Sequence, residues 1–184
     1  MNASRLLSLL RSGLMLGTLA LLPAGALTLE EMQSDPALTP KRFAGMFETF
    51  DYEYHPEVQW PNIFLAERRG DCDDYAILAE HVLRPKGFAT RVIHVRLVGR
   101  VAHAICYVDE AKAYLDYNNR KYALNLQRCG STLRQIASKV AGEFEANWTS
   151  VSEFTYDYEK GKKTLGRTVV KKEPPAQDAD VAKR

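Results

Sequence analysis

The stretch Gly70-Asp71-Cys72-Asp73-Asp74-Tyr75-Ala76 decides how the rest of the chain is read. Gly70 punctuates the backbone, and the carboxylate of Asp71 can cap a helix by accepting the free N–H groups of its first turn. Cys72, Tyr75, Ala76, Ala79, Val82 and Leu83 then fall on one stripe at helical spacing. The pattern predicts a helix to about Leu83, ended by Pro85 and Gly87. A cysteine in a first helical turn sits among unpaired amides, at the positive end of the helix dipole. Both favour the thiolate, the form of cysteine that attacks carbonyl carbon.

Strands are expected to follow. Thr90 to Val98 is β-branched and alternates Ile93, Val95 and Leu97 with His94 and Arg96. Val101 to Val108 predicts a second strand, Asp109 to Lys112 a turn, and Ala113 to Tyr117 a third strand. Asn118-Asn119 suits a tight turn, with a further short strand over Tyr122 to Leu126. Two antiparallel strands joined by a short turn can hold His103 and Asp116 side by side. The chain order Cys72, His103, Asp116 therefore supplies a nucleophile, its base and the carboxylate that orients the base. Backbone amides near Cys72 are candidate oxyanion donors, and Trp60 or Gln59 is a candidate second donor.

The acids around the cysteine pull the other way. Carboxylates beside a thiol disfavour its thiolate. Successive side chains diverge on a helix, however, and acids in a first turn commonly answer the dipole alone. Alternatively a hard cation neutralises them, since carboxylate oxygens are calcium's usual ligands. For Cys72 the ordinary alternative is a buried structural cysteine. Cys106 faces away from His103 in a period-2 strand and reads as packed or disulfide-bonded. A Cys106–Cys129 bridge and three free thiols are both open. His55 lies in a proline-flanked loop, His81 on the polar side of the helix and His94 on the strand's outer face. No histidine pair has zinc-ligand spacing.

Upstream, Thr39-Pro40 is a helix start, with Phe43, Met46, Phe47 and Phe50 forming a greasy face. Asp51 to Pro61 reads as a packed aromatic loop, and Asn62 to Arg69 as a short helix or extended segment. Ser131 to Ala146 reads as a helix capped by Ser131, and Trp148 to Tyr158 as a last strand. A helix followed by an antiparallel meander is an α+β arrangement.

Residues 1–26 have the plan of a secretory signal peptide: Arg5 and Arg11, the apolar run Leu14 to Leu22, then Ala24-Gly25-Ala26. The run is too short to span a bilayer comfortably, so no membrane span is expected after cleavage. The full chain has 25 basic and 23 acidic residues. Removing Arg5 and Arg11 leaves 23 of each, which argues against a nucleic-acid partner. Residues 27–160 suffice for one domain. Residues 161–184 are lysine-rich and end in a segment poor in bulky apolar side chains, and are expected to form a disordered basic tail.

Gly70 to Ala76, then Leu83 to Phe88, His103-Ala104 and Leu115-Asp116, resemble the transglutaminase-like superfamily, and more narrowly the bacterial transglutaminase-like cysteine proteinases. The resemblance spans roughly residues 60 to 120. It implies a papain/transglutaminase-like core with a nucleophile helix packed on an antiparallel β-sheet. It implies Cys72 as nucleophile, His103 as base and Asp116 as orienting acid. It also implies a bacterial protein that is exported, periplasmic or secreted, with a protein or peptide substrate at the cell envelope. Members of the group bind calcium through acids flanking the cysteine, which places Asp71 and Asp73 as candidate ligands, although the chemistry itself requires no cofactor. The leading expectation is a hydrolase that cleaves a peptide or other amide bond through an acyl-enzyme. The alternatives are an amine-transferring, protein-crosslinking transglutaminase and a catalytically silent binding module.

Overall fold

The computed structural model describes residues 27–122 and 125–171. Three short helices precede the cysteine: α1 (Leu29–Ser34), α2 (Pro40–Gly45) and α3 (Pro61–Glu67). Thr39 caps α2 and Pro40 opens it, as the sequence predicts, with the Thr39 hydroxyl accepting the Arg42 N–H at 3.3 Å. Strands β1 (Asp51–Tyr52) and β2 (Arg69–Gly70) form a small parallel pair just before the cysteine helix, α4 (Cys72–Leu83). Strands β3 (Thr90–Leu97), β4 (His103–Val108), β5 (Ala113–Leu115) and β6 (Leu126–Arg128) follow. The chain then forms α5 (Leu133–Glu143), β7 (Trp148–Asp157) and β8 (Lys162–Val170). Thr132, not Ser131, caps α5.

Six strands pair antiparallel in the order β6-β5-β4-β3-β7-β8. The α+β architecture, with the cysteine helix on an antiparallel sheet, is the one expected. Both faces of the sheet are covered. Val92, Ala104, Cys106 and Leu115 pack on the α4 side, and Ile93, Ile105, Tyr107 and Val151 on the α5 side. Double coverage makes β4 buried at every position. The cysteine side of the core is mostly aromatic. Phe43, Phe47, Phe50, Phe64, Tyr75 and Tyr117 are all buried, with Phe47 edge-on to Tyr75 at 5.0 Å and Phe64 edge-on to Tyr117 at 5.8 Å. These contacts tie the pre-cysteine helices to α4 and to the turn after β5.

One expectation is corrected. The stretch from 161 onward, read as a disordered tail, contains β8, which pairs with β7 from Ser150↔Val170 to Asp157↔Lys162. Backbone bonding holds an edge strand without a continuous apolar face, and Thr164, Thr168, Val169 and Val170 favour extended backbone. The lysines that suggested disorder are residues that keep an edge strand from pairing with another chain. The ordered domain thus runs past 160, at least to Val170. The signal-peptide reading of 1–26 and the tail reading of 172–184 lie outside the described residues. So does part of the strand expected over Tyr122 to Leu126, whose observed counterpart is β6. The three cysteines are free thiols, so Cys106 and Cys129 form no bridge.

Candidate active site

Gly70 is required by space. A Cβ there would meet Asp74 Oδ2 at 2.6 Å and the Phe64 ring at 2.7 Å. This close approach lets the chain turn tightly into α4. Asp71 is the N-cap: its Oδ1 accepts the N–H groups of Asp73 at 2.9 Å and Asp74 at 3.4 Å. Asp74 Oδ2 accepts the Asp71 N–H at 3.0 Å, completing a capping box. Gln59 locks the box from outside, its backbone N–H donating to Asp74 Oδ1 at 2.7 Å and its side-chain amide to Oδ2 at 3.0 Å. The His55 N–H reaches Asp71 Oδ2 at 3.2 Å and fastens the 52–56 loop to the helix start. Burial, and next the charge of Asp74, push the Asp71 carboxyl up to about 6, against the amides of His55 and Asp73.

Cys72 is thus the first residue of α4, and its own N–H has no protein acceptor among the described residues. That leaves the amide available to an incoming oxyanion. The side chain lines a cleft of about 570 Å³ together with His103. Tyr52, Tyr54, His55, Val101 and Phe144 also line it.

His103 stands at the first position of β4, and Asp116 just beyond the last of β5. Nε2 of His103 donates to Asp116 Oδ2 at 2.8 Å, and both side chains are buried. Asp116 Oδ1 accepts the Asn118 N–H at 2.8 Å as the cap of a 3-10 turn (Tyr117–Asn119), so the carboxylate is fixed at both oxygens. Phe144 packs edge-on to the imidazole at 4.8 Å. Burial, the largest influence, favours the neutral ring. The charge and hydrogen bond of Asp116, then the hydrogen bond and charge of Cys72, outweigh it and raise His103 to about 10. With Nε2 committed to Asp116, Nδ1 is the nitrogen left for the thiol. The three residues expected to act together are therefore gathered at one end of the sheet.

Other expected residues fall elsewhere. The Gln59 amide is committed to Asp74 and to the Arg69 carbonyl. Trp60 is half exposed and stacks on Tyr158 at 5.7 Å. Neither lines the cleft, so neither is an oxyanion donor there.

Two cleft-side residues escaped the sequence reading. His94 lines the same cleft. Its alternation with apolar residues suggested solvent, but a sheet covered on both faces turns it inward. Burial, then the charge of Lys163, lowers it to about 4, with Asp73 opposing. Lys163 comes from β8, its Nζ 3.7 Å from Asp73 Oδ2 and 3.8 Å from the centroid of the Phe154 ring. Nothing local to Lys163 in the sequence marks it.

The fold sets a cysteine at the start of a helix packed on an antiparallel sheet, a histidine at the start of one strand and a carboxylate just past the end of the next. Residues 29–118 match the family model described as the transglutaminase-like superfamily. Solved structures similar to this one include LapG of Legionella pneumophila, at 16% identity and a TM-score of 0.44 over 67% of this chain and 68% of that chain. Its calcium-bound form gives 16% and 0.45 over 74% and 73%. Its EGTA-treated form gives 14% and 0.45 over 75% of each chain. No curated protein matches in sequence. No helix among the described residues is long and apolar enough to cross a membrane.

Proposed function

We propose that this chain is an exported cysteine hydrolase that cleaves a peptide or other amide bond through Cys72, His103 and Asp116. The observation that carries the reading is the His103 Nε2–Asp116 Oδ2 contact of 2.8 Å, buried beside Cys72 at the first turn of α4. Asp116, held at both oxygens, keeps the imidazole charged and oriented, and the charged ring pairs with a Cys72 thiolate. Sγ attacks the substrate carbonyl carbon, forming the S–C bond, while the Cys72 N–H receives the oxyanion. Collapse breaks the C–N bond as His103 gives its proton to the leaving amine. Water then attacks the thioester with His103 as base, and the carboxylic product leaves as the thiolate–imidazolium pair is restored.

The cleft wall of Tyr52 and Tyr54 suits an extended protein or peptide substrate at the cell envelope. Residues 1–26 act as a signal peptide in this reading, and the mature chain starts near Leu27 in the periplasm or outside the cell. N-terminal sequencing of the secreted or periplasmic protein checks that boundary. The deciding assay is release of a labelled peptide fragment, run with and without a primary amine, on the wild type and on Cys72→Ala. Hydrolysis lost in the variant supports the reading. Amine incorporation dominating over hydrolysis replaces it with a transferase, and a wild-type Cys72 alkylated no faster than a free thiol makes the domain a binding module.

A further inference from the structure

The Asp71, Asp73 and Asp74 carboxylates invite a divalent cation, and calcium takes about six to eight oxygens. The oxygens present here do not fit that demand. Both oxygens of Asp71 accept backbone N–H groups, from Asp73 and Asp74 on one side and His55 on the other. Both oxygens of Asp74 are also taken, by Gln59 and by the Asp71 N–H. Asp73 Oδ2 faces the Lys163 ammonium at 3.7 Å. Only Asp73 Oδ1 is buried without a protein donor. Among the described residues no group of three or more histidine, cysteine or acidic side chains is arranged to hold a metal.

A cation already stands at this place, and the chain supplies it. We propose that Lys163 is a positioning residue for Cys72: its ammonium, laid over the Phe154 ring and against Asp73, provides the fixed positive charge that a calcium ion would otherwise bring beside the nucleophile. The stem is braced from two directions. Phe154 on β7 gives it an aromatic face at 3.8 Å, a favourable seat for a cation. Backbone pairing of Lys163 with Tyr156 fixes where the stem begins. Lys163 lies 45 residues beyond the segment that matches the family model, counting from residue 118, so the family pattern does not supply it. The charge neutralises Asp73, which otherwise stands one residue from Cys72 as a repulsive neighbour to its thiolate. The inference rests on the hydrolase reading of Cys72 but adds a distinct claim: reactivity of this thiol is independent of calcium and dependent on β8.

The experiment uses the full chain and the Lys163→Met and Lys163→Arg variants, each in EGTA and in millimolar calcium. Cys72 alkylation by iodoacetamide and the melting temperature are both recorded. The wild type is expected to show the same rate and melting temperature in both buffers. Lys163→Met is expected to alkylate at least threefold more slowly, and Lys163→Arg to restore most of the rate. A merely structural lysine would not be rescued by arginine in rate while the melting temperatures of both variants stay alike. A wild-type melting temperature or rate that rises with calcium overturns the inference, as does Lys163→Met with an unchanged rate. Wild-type Cys72 reacting no faster than a free thiol overturns the hydrolase reading instead, and the calcium comparison of melting temperatures still decides the metal question.

Discussion

Asp116 decides the state of His103. The carboxylate is buried, held by Asn118 on one oxygen, and spends the other on Nε2. Asp116→Asn removes the charge and leaves an amide able to favour the wrong ring tautomer. The expected outcome is a loss of about 10²–10⁴-fold in kcat/KM on a peptide substrate, read by fragment release. A pH effect follows from the same pair. His103 is raised from 6.5 to about 10 in the folded protein, so the stability it contributes is fully present below 6.5 and is lost as pH rises toward 10. Melting temperatures from pH 6 to 10 should fall across that window, and the Asp116→Asn protein should show a flatter profile there. His94 has the opposite sign, with its contribution lost as pH falls from 6.5 toward 4, so the two histidines bracket the stable range.

At the scale of elements, the tight entry into α4 and the edge strand β8 set the geometry. Gly70→Ala drives a methyl group into the Phe64 ring and the Asp74 carboxylate. A cost of about 1–3 kcal/mol is expected from chemical denaturation, with slower Cys72 alkylation because the capping box must shift. A chain ended after Lys160 loses β8 and with it Lys163. It should melt lower and alkylate more slowly than a chain ended after Lys171, which keeps the whole β7–β8 ladder. Equal behaviour of the two truncations would show that β8 contributes nothing to the site. The cysteine helix was legible element by element: its cap, apolar stripe and end at Leu83 all follow from local residue types. Strand β8 was not, because its hairpin pairing with β7 comes without an alternating apolar pattern of its own, and its lysines resemble those of a solvated tail.

At the scale of the whole molecule, the aromatic cluster joins the parts of the site that are far apart in sequence. Phe47 touches Phe43, Phe50, Phe64 and Tyr75, linking the segment before the cleft wall to the cysteine helix. Tyr117, next to Asp116, packs on Phe64 and Tyr75 and donates its hydroxyl to the Asp51 carbonyl at 2.7 Å. Phe47→Ala should cost about 3–5 kcal/mol in equilibrium unfolding, and lower activity chiefly by depopulating the folded state. Residual folded protein should keep the wild-type alkylation rate of Cys72, since Phe47 does not line the cleft. The sequence by itself determined the cysteine at a helix start, the strand that carries His103 and the one that leads to Asp116, and the α+β class, because capping, helical spacing and strand alternation are local. The tertiary structure alone decided that Gln59 and His55 take up further oxygens of Asp74 and Asp71, that Asp73 meets a lysine, and that His94 faces the cleft. Those outcomes depend on which chain segments the sheet brings together, and the pairing that delivers Lys163 to Asp73 joins positions that no local pattern connects.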